Sequence, residues 1–140
     1  MRFLFVILVL LTSGCLLRSG VSITTLPPIK ESKLAIDFFS VPKNVYHSNE
    51  NMNVTLVVRS PSNFENATLK IYGIYSRRYR LNETVQFNLS KGVKIVSFDY
   101  TTPSCFGCAG IQPGEYNITA ELLVGGKIVD NKTIEVLVQS

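Results

Sequence analysis

From Lys33 to the C-terminus apolar and polar residues alternate with a period of two, and turn-forming residues interrupt the alternation at short intervals. Helical 3.6-residue spacing is sustained nowhere. A period of two places successive side chains on opposite faces of an extended backbone, so each segment carries one apolar face that must be covered. Many short strands of this kind, separated by turns, specify an all-β antiparallel sandwich. The alternation predicts seven strands, over residues 34–40, 52–59, 66–75, 83–90, 93–100, 114–124 and 127–138.

Within these segments the faces are assigned by parity. Met52, Val54, Leu56 and Val58 point one way while Asn53, Thr55 and Arg59 point the other. Val85, Phe87 and Leu89 oppose Thr84, Gln86 and Asn88, and Tyr116, Ile118, Ala120 and Leu122 oppose Glu115, Asn117, Thr119 and Glu121. Turns are marked by SPSN (60–63), SKG (90–92), TTPS (101–104) and Gly125-Gly126. Two glycines between alternating runs suit the positive φ angles of a two-residue hairpin.

The N-terminus follows a different pattern. Arg2 is a short positive region, Phe3 to Leu11 an apolar run, and Thr12-Ser13-Gly14 a small-residue cleavage zone, which together read as a secretory signal over residues 1–14. The run is shorter than a comfortable bilayer span of about 20 residues. Residues 11–15, LTSGC, resemble the lipobox of bacterial and archaeal lipoproteins, with Thr12 where that pattern usually carries leucine. The resemblance implies cleavage before Cys15 and a lipid on its sulfur, anchoring the chain to the outer face of the cytoplasmic membrane. An ordinary signal peptide with an unmodified Cys15 is the alternative. Residues 15–32 then form a lipidated N-terminus and linker, marked by Pro27-Pro28 and by Ser, Thr and Gly, and residues 33–140 the folded domain. The formal charge of +4 falls to +3 once Arg2 leaves with the signal, a mild bias that gives no reason to expect nucleic acid as a partner.

Six of the ten asparagines stand in N-x-[ST] sequons: Asn53, Asn66, Asn82, Asn88, Asn117 and Asn131. Amphipathic strands account for the threonines but not for the asparagines, which strands disfavour. Every one falls on a polar face or near a turn, as a glycosylated extracytoplasmic domain requires. Sequons combined with a lipobox point to an archaeal source.

Residues 50–138, through NMNVTLVVRSPSNFENATLKIYGI and IQPGEYNITAELLVGGKIVDNKTIEVLV, resemble the Ig-like or CARDB-type sandwich modules of prokaryotic surface proteins. In such modules a Pro-Gly-x-Tyr opens the penultimate strand and a hairpin leads into the last. The chain has no tryptophan, so the core Trp of antibody-type domains is missing.

Three cysteines remain to be placed. With Cys15 carrying lipid, Cys105 and Cys108 form a pair in PSCFGCAG. A thioredoxin-like use needs a helix N-terminus after a strand, whereas Gly110, Pro113 and Gly114 follow here. A zinc site needs four ligands, and His47 is the single histidine. A local disulfide between Cys105 and Cys108 is the structural reading; a redox-active pair is the alternative. In YSRRYRLNE (75–83), Arg77, Arg78 and Arg80 interleave with Tyr75 and Tyr79; the preferred reading is an exposed hairpin with its arginines over tyrosine faces, and binding of an anion, a nucleic acid or an acidic glycan, is the alternative. With no nucleophile–histidine set and no phosphate loop, neither an enzyme nor a cofactor or metal is expected. The expected role is a binding or structural module of the cell envelope, with a protein or glycan partner at the cell surface. A redox domain built on Cys105 and Cys108, or a filament or adhesion subunit, are the alternatives.

Overall fold

The computed structural model describes residues 33–105 and 110–140, and these fold into strands with no helix among the described residues. The expected signal over 1–14, Cys15, the linker to residue 32, and Cys108 lie outside them. In chain order the strands are β1 (Ala35–Ser40), β2 (Val45–His47), β3 (Asn51–Ser60), β4 (Phe64–Ser76), β5 (Arg78–Leu89), β6 (Gly92–Thr101), β7 (Gly114–Val124) and β8 (Lys127–Gln139). They form a three-stranded sheet, β1-β3-β6, and a five-stranded sheet, β2-β8-β7-β4-β5. The expected sandwich is therefore present, with eight strands where the alternation gave seven.

Two differences from the expected strands have physical causes. β2 has three residues and pairs parallel with the end of β8, Val45 opposite Leu137 and His47 opposite Gln139. A three-residue strand is too short to show a period. β5 begins at Arg78, where the pattern placed residue 83. Its first half lies at the edge of the five-stranded sheet and is largely polar, so alternation marks only the part that packs inward.

The core forms where parity placed it. Met52, Val54, Leu56 and Val58 of β3 are fully buried, facing Ala67, Leu69 and Ile71 of β4 and Ile118, Ala120 and Leu122 of β7. β6 adds Val96, Phe98 and Tyr100, partly buried against the same core. Each fully buried aliphatic side chain contributes about 1.5–3 kcal/mol relative to exposure. At Gly125 and Gly126 φ is 58° and 77°, the paired positive values of a tight hairpin turn.

One side of the sandwich is closed by the N-terminal strand. β1 belongs to the three-stranded sheet, but the chain leaves it at Val41-Pro42 and enters the other sheet as β2. Proline lacks the amide a ladder needs, so the crossing falls where pairing must stop. At a register shift in β1, the Ile36 amide donates to the Asp130 carboxylate of β8 at 2.7 Å, and Lys132 Nζ donates to the Asp37 carbonyl at 2.9 Å. At the end where β2 stops, buried Thr102 joins two loops. Its hydroxyl accepts the Glu50 amide at 2.9 Å and donates to the His47 carbonyl, while its own amide donates to the Glu50 carbonyl at 2.8 Å.

Gly73 is where β4 and β7 approach most demandingly. A Cβ there would lie 2.5 Å from the Asn117 carbonyl oxygen and 2.8 Å from the Ile118 Cα, both rigid backbone atoms. Gly73→Ala is expected to lower stability by about 1–3 kcal/mol, read as a fall in the urea midpoint, because the strands must separate; an unchanged midpoint would refute the close approach. Burial pushes the Tyr100 phenol up to about 12, with Arg80 nearby opposing the rise. In the unfolded chain that phenol ionises near pH 10, so the stabilisation is full below about pH 10 and is lost as pH rises through about 12, on the order of 1–2 kcal/mol. Tyr100→Phe should flatten the decline in urea midpoint over that interval, and an unchanged slope would show that other groups carry it.

Candidate binding cleft

The tyrosine–arginine segment becomes a site through a fault in alternation. Along β4, Ala67, Leu69, Ile71 and Gly73 are buried at every second position, but Ile74 is buried too. Ile74 has φ 50°, a left-handed conformation that β-branched residues rarely adopt. Two successive buried positions shift the parity and leave Tyr75 exposed. Arg77, with φ 61°, joins β4 to β5, and Tyr79 then stands opposite Tyr75.

The rings of this hairpin meet edge to face. Tyr79 lies 5.2 Å from Tyr75 at 66° and 5.0 Å from Tyr72 at 62°, the geometry in which the electropositive rim of one ring meets the face of another. The Tyr72 hydroxyl donates to the Glu121 carboxylate at 2.7 Å, and that bond, followed by burial, raises its pKa. Tyr75 and Tyr79 border two recesses. The larger, about 720 Å³, is lined by Tyr75, Arg78, Tyr79, Arg80, Asn82, Tyr100, Thr101 and Pro103. The smaller, about 390 Å³, is bounded by Tyr72, Gly73, Glu115, Tyr116, Asn117 and Thr119 as well.

The larger recess is the open side of the sandwich, between β5, the edge of one sheet, and the end of β6, the edge of the other. Arg78 and Arg80 line it, and among the described residues no carboxylate does. Water-exposed rings beside forked cations offer apolar faces together with bidentate donors. The smaller recess, with Glu115, lacks that positive bias.

Of the three arginines singled out in the sequence, Arg78 and Arg80 come together here, while Arg77 stays at the turn outside the lining. Tyr72 and Tyr100 were not singled out, and Tyr116 only as a strand residue. Tyr100 reaches the cleft from the edge strand of the other sheet, a relation with no signature in a single strand.

The remaining site residues are dispersed. All six sequon asparagines are exposed; Asn82 lines the larger recess and Asn117 the smaller. The Asn53 amide donates to Asp99 at 3.0 Å, and Asn88 accepts the Asn66 backbone amide at 3.1 Å. Cys105 is half-buried, with its amide donating to Ser48 Oγ at 2.8 Å and its sulfur 3.5 Å from the Gln139 carbonyl. Its expected partner, Cys108, is outside the described residues. Tyr116 of the Pro-Gly-x-Tyr stretch donates its hydroxyl to the Gln112 carbonyl, a tyrosine corner closing the turn into β7. His47 is exposed beside Glu50, 3.7 Å away, and no cluster of three metal-ligating side chains occurs among the described residues.

No protein-family model matches the chain, and no curated protein sequence matches it. Solved structures do. The sporulation control protein Spo0M of Bacillus subtilis superposes with a TM-score of 0.54 at 16% identity, over 78% of this chain and 50% of that one. The C-terminal domain of Wzt gives 0.60 at 11% identity, over 78% of this chain and 75% of that one. The CARDB domain of a Pyrococcus furiosus protein gives 0.51 at 19% identity, over 76% and 92%. The chain thus spans half the length of the Spo0M structure and nearly all of the CARDB domain. At such identities the likeness is one of architecture: the fold is a CARDB-like β-sandwich.

Proposed function

We propose that this chain is a non-catalytic module of an archaeal cell envelope, held at the outer face of the cytoplasmic membrane by lipid on Cys15, whose cleft binds an anionic glycan. The observation that carries the reading is the pairing of exposed tyrosine rings with Arg78 and Arg80 in a cleft lined by no carboxylate among the described residues. Tyrosine faces pack against the C–H faces of sugar rings, and guanidinium forks take carboxylate, sulfate or phosphate groups bidentately. These groups hold a ligand, and their chemistry is that of recognition. The position of the cleft supports the same reading. Thr101 and the Tyr75–Tyr79 hairpin lie at one end of the sandwich, whereas the chain enters at the other, with Ala35 opposite Arg59 and Arg59 opposite Val93. A tether on the N-terminal side therefore leaves the cleft facing outward.

Titration of the purified chain with polygalacturonate, against neutral dextran, tests the ligand class. Binding to the acidic polymer should weaken with added salt and fall about tenfold in Tyr79→Ala, as loss of one ring–ligand contact implies. Arg78→Gln with Arg80→Gln should abolish the preference for the acidic polymer. Equal binding of the two polymers by the unaltered chain would sink the proposal.

Anchoring and glycosylation are read in the native host. Cys15→Ser should move the chain from the membrane fraction to the medium. Intact mass should exceed the lipidated polypeptide by whole glycan increments, since the six exposed sequons offer acceptors; a mass equal to the lipidated polypeptide would remove the glycans from the reading.

A further inference from the structure

Outside the cleft, three of the five exposed large apolar side chains among the described residues, Phe38, Val93 and Ile95, gather on one half of one face, while Val45 and Ile128 belong to the other sheet. On the outer surface of the three-stranded sheet, Phe38 stands opposite Val57 and Val57 opposite Ile95, a row crossing all three strands. Val93 lies two residues before Ile95 on the same face. Phe38, Val93 and Ile95 are 53%, 63% and 65% exposed, well beyond what scattered surface residues need. The other half of the face is polar, with Asn53, Thr55, Ser97 and Asp99 hydrogen-bonded to one another.

The apolar half is rimmed by positive charge. Arg59 is abreast of Val93, and Lys33 and Lys91 stand at the same end, whereas Lys94, opposite buried Val58, belongs to the other face of β6. Asp37 neutralises Arg59 at 2.6 Å, which leaves Lys33 and Lys91 as the excess cations, among the described residues, at the end of the row. This is also where the N-terminal 32 residues join the domain, since β1 begins opposite Arg59.

We infer that this half-face docks on the anionic lipid surface to which the chain is tethered, with Phe38, Ile95 and Val93 entering the headgroup boundary and the lysines meeting lipid phosphates. Apolar insertion and attraction of basic residues by anionic lipid act together at such surfaces. The contact can be weak in isolation, because a tether makes it intramolecular. A second copy of the chain suits the face less well. Two basic rims would be brought together, and Lys94, a charged residue on the open edge strand β6, blunts strand addition there. The inference rests on the proposed lipid anchor for its tether, and it adds an orientation: the sheet face against the membrane, the glycan cleft at the far end.

The chain contains no tryptophan, so one introduced indole reports alone. Full-length lipidated chains carrying Ile95→Trp, or Gln86→Trp on the exposed edge of the other sheet, would be reconstituted with phosphatidylcholine vesicles with and without phosphatidylglycerol, using brominated acyl chains as quencher. The Ile95→Trp indole should shift to the blue and be quenched about twofold or more when phosphatidylglycerol is present, and Gln86→Trp should not respond. Adding Phe38→Ser and Val93→Ser should remove the quenching; these are exposed positions, so the fold should survive. No quenching of Ile95→Trp, or equal quenching at both positions, overturns docking. A blue shift without vesicles that grows with protein concentration also overturns it, in favour of a second copy. Flotation of the vesicles reads the anchor separately: a chain that floats without quenching keeps the anchor and loses docking, and one that is quenched at high lipid without floating does the reverse.

Discussion

The bond from the Ile36 amide to the Asp130 carboxylate ties one sheet to the other along a single side of the sandwich. It exists because β1 bulges between Ile36 and Phe38, and a bulge releases an amide from the ladder. Such an amide, left unbonded near the core, would cost about 1–3 kcal/mol. A carboxylate from the facing sheet meets it, and Lys132 adds a second crossing at the Asp37 carbonyl. Pro42 then sends the chain into the other sheet, so this side is sealed by hydrogen bonds as well as by packing. Among the described residues the opposite side has no such strand. There β5 and β6 end their sheets without a neighbour, and the cleft is the space between them.

That asymmetry separates two surfaces of different chemistry. Tyr75 and Tyr79, the exposed aromatic side chains with hydroxyl groups, lie at the end with Thr101, the C-terminal end of β6. Phe38, Val93 and Ile95 lie toward the end with Lys33 and Gly92. Tyrosine suits a wet site because its ring is apolar while its rim can hydrogen-bond. Phenylalanine, valine and isoleucine have no polar handle, and their exposure calls for an apolar cover. The antiparallel register converts sequence separation into this spatial polarity: residues 33, 60 and 92 meet at one end, and residues 50, 77 and 101 at the other.

The architecture was legible because parity needs only one strand to be read. Met52 to Val58 and Tyr116 to Leu122 declare their faces without reference to any neighbour, and Gly125-Gly126 declares its turn through φ alone. What parity could not supply were relations between strands. β2 is defined by its partner β8 and contributes too few residues to have a period. The cleft was half legible: Arg78, Arg80, Tyr75 and Tyr79 are adjacent in sequence, but Tyr100 joins them only through the packing of two sheets. The Phe38–Val57–Ile95 row was illegible for the same reason, since its members lie on three strands and each alone is an ordinary surface residue.

The cleft also depends on a local contest that the sequence states but does not decide. A left-handed conformation costs an ordinary L-residue about 1–2 kcal/mol, and a β-branched side chain such as Ile74 lies at the unfavourable end. Burying that side chain fully returns about 1.5–3 kcal/mol, so the strained conformation holds with little to spare. Regular alternation would have turned Ile74 outward and Tyr75 inward, placing a phenol in the core. The burial of Ile74 thus does two things at once: it completes the apolar layer behind Gly73, and it sends Tyr75 outward to meet Tyr79. A smaller residue at this position would recover less from burial, and the hairpin would lose the force that presents its tyrosines to solvent.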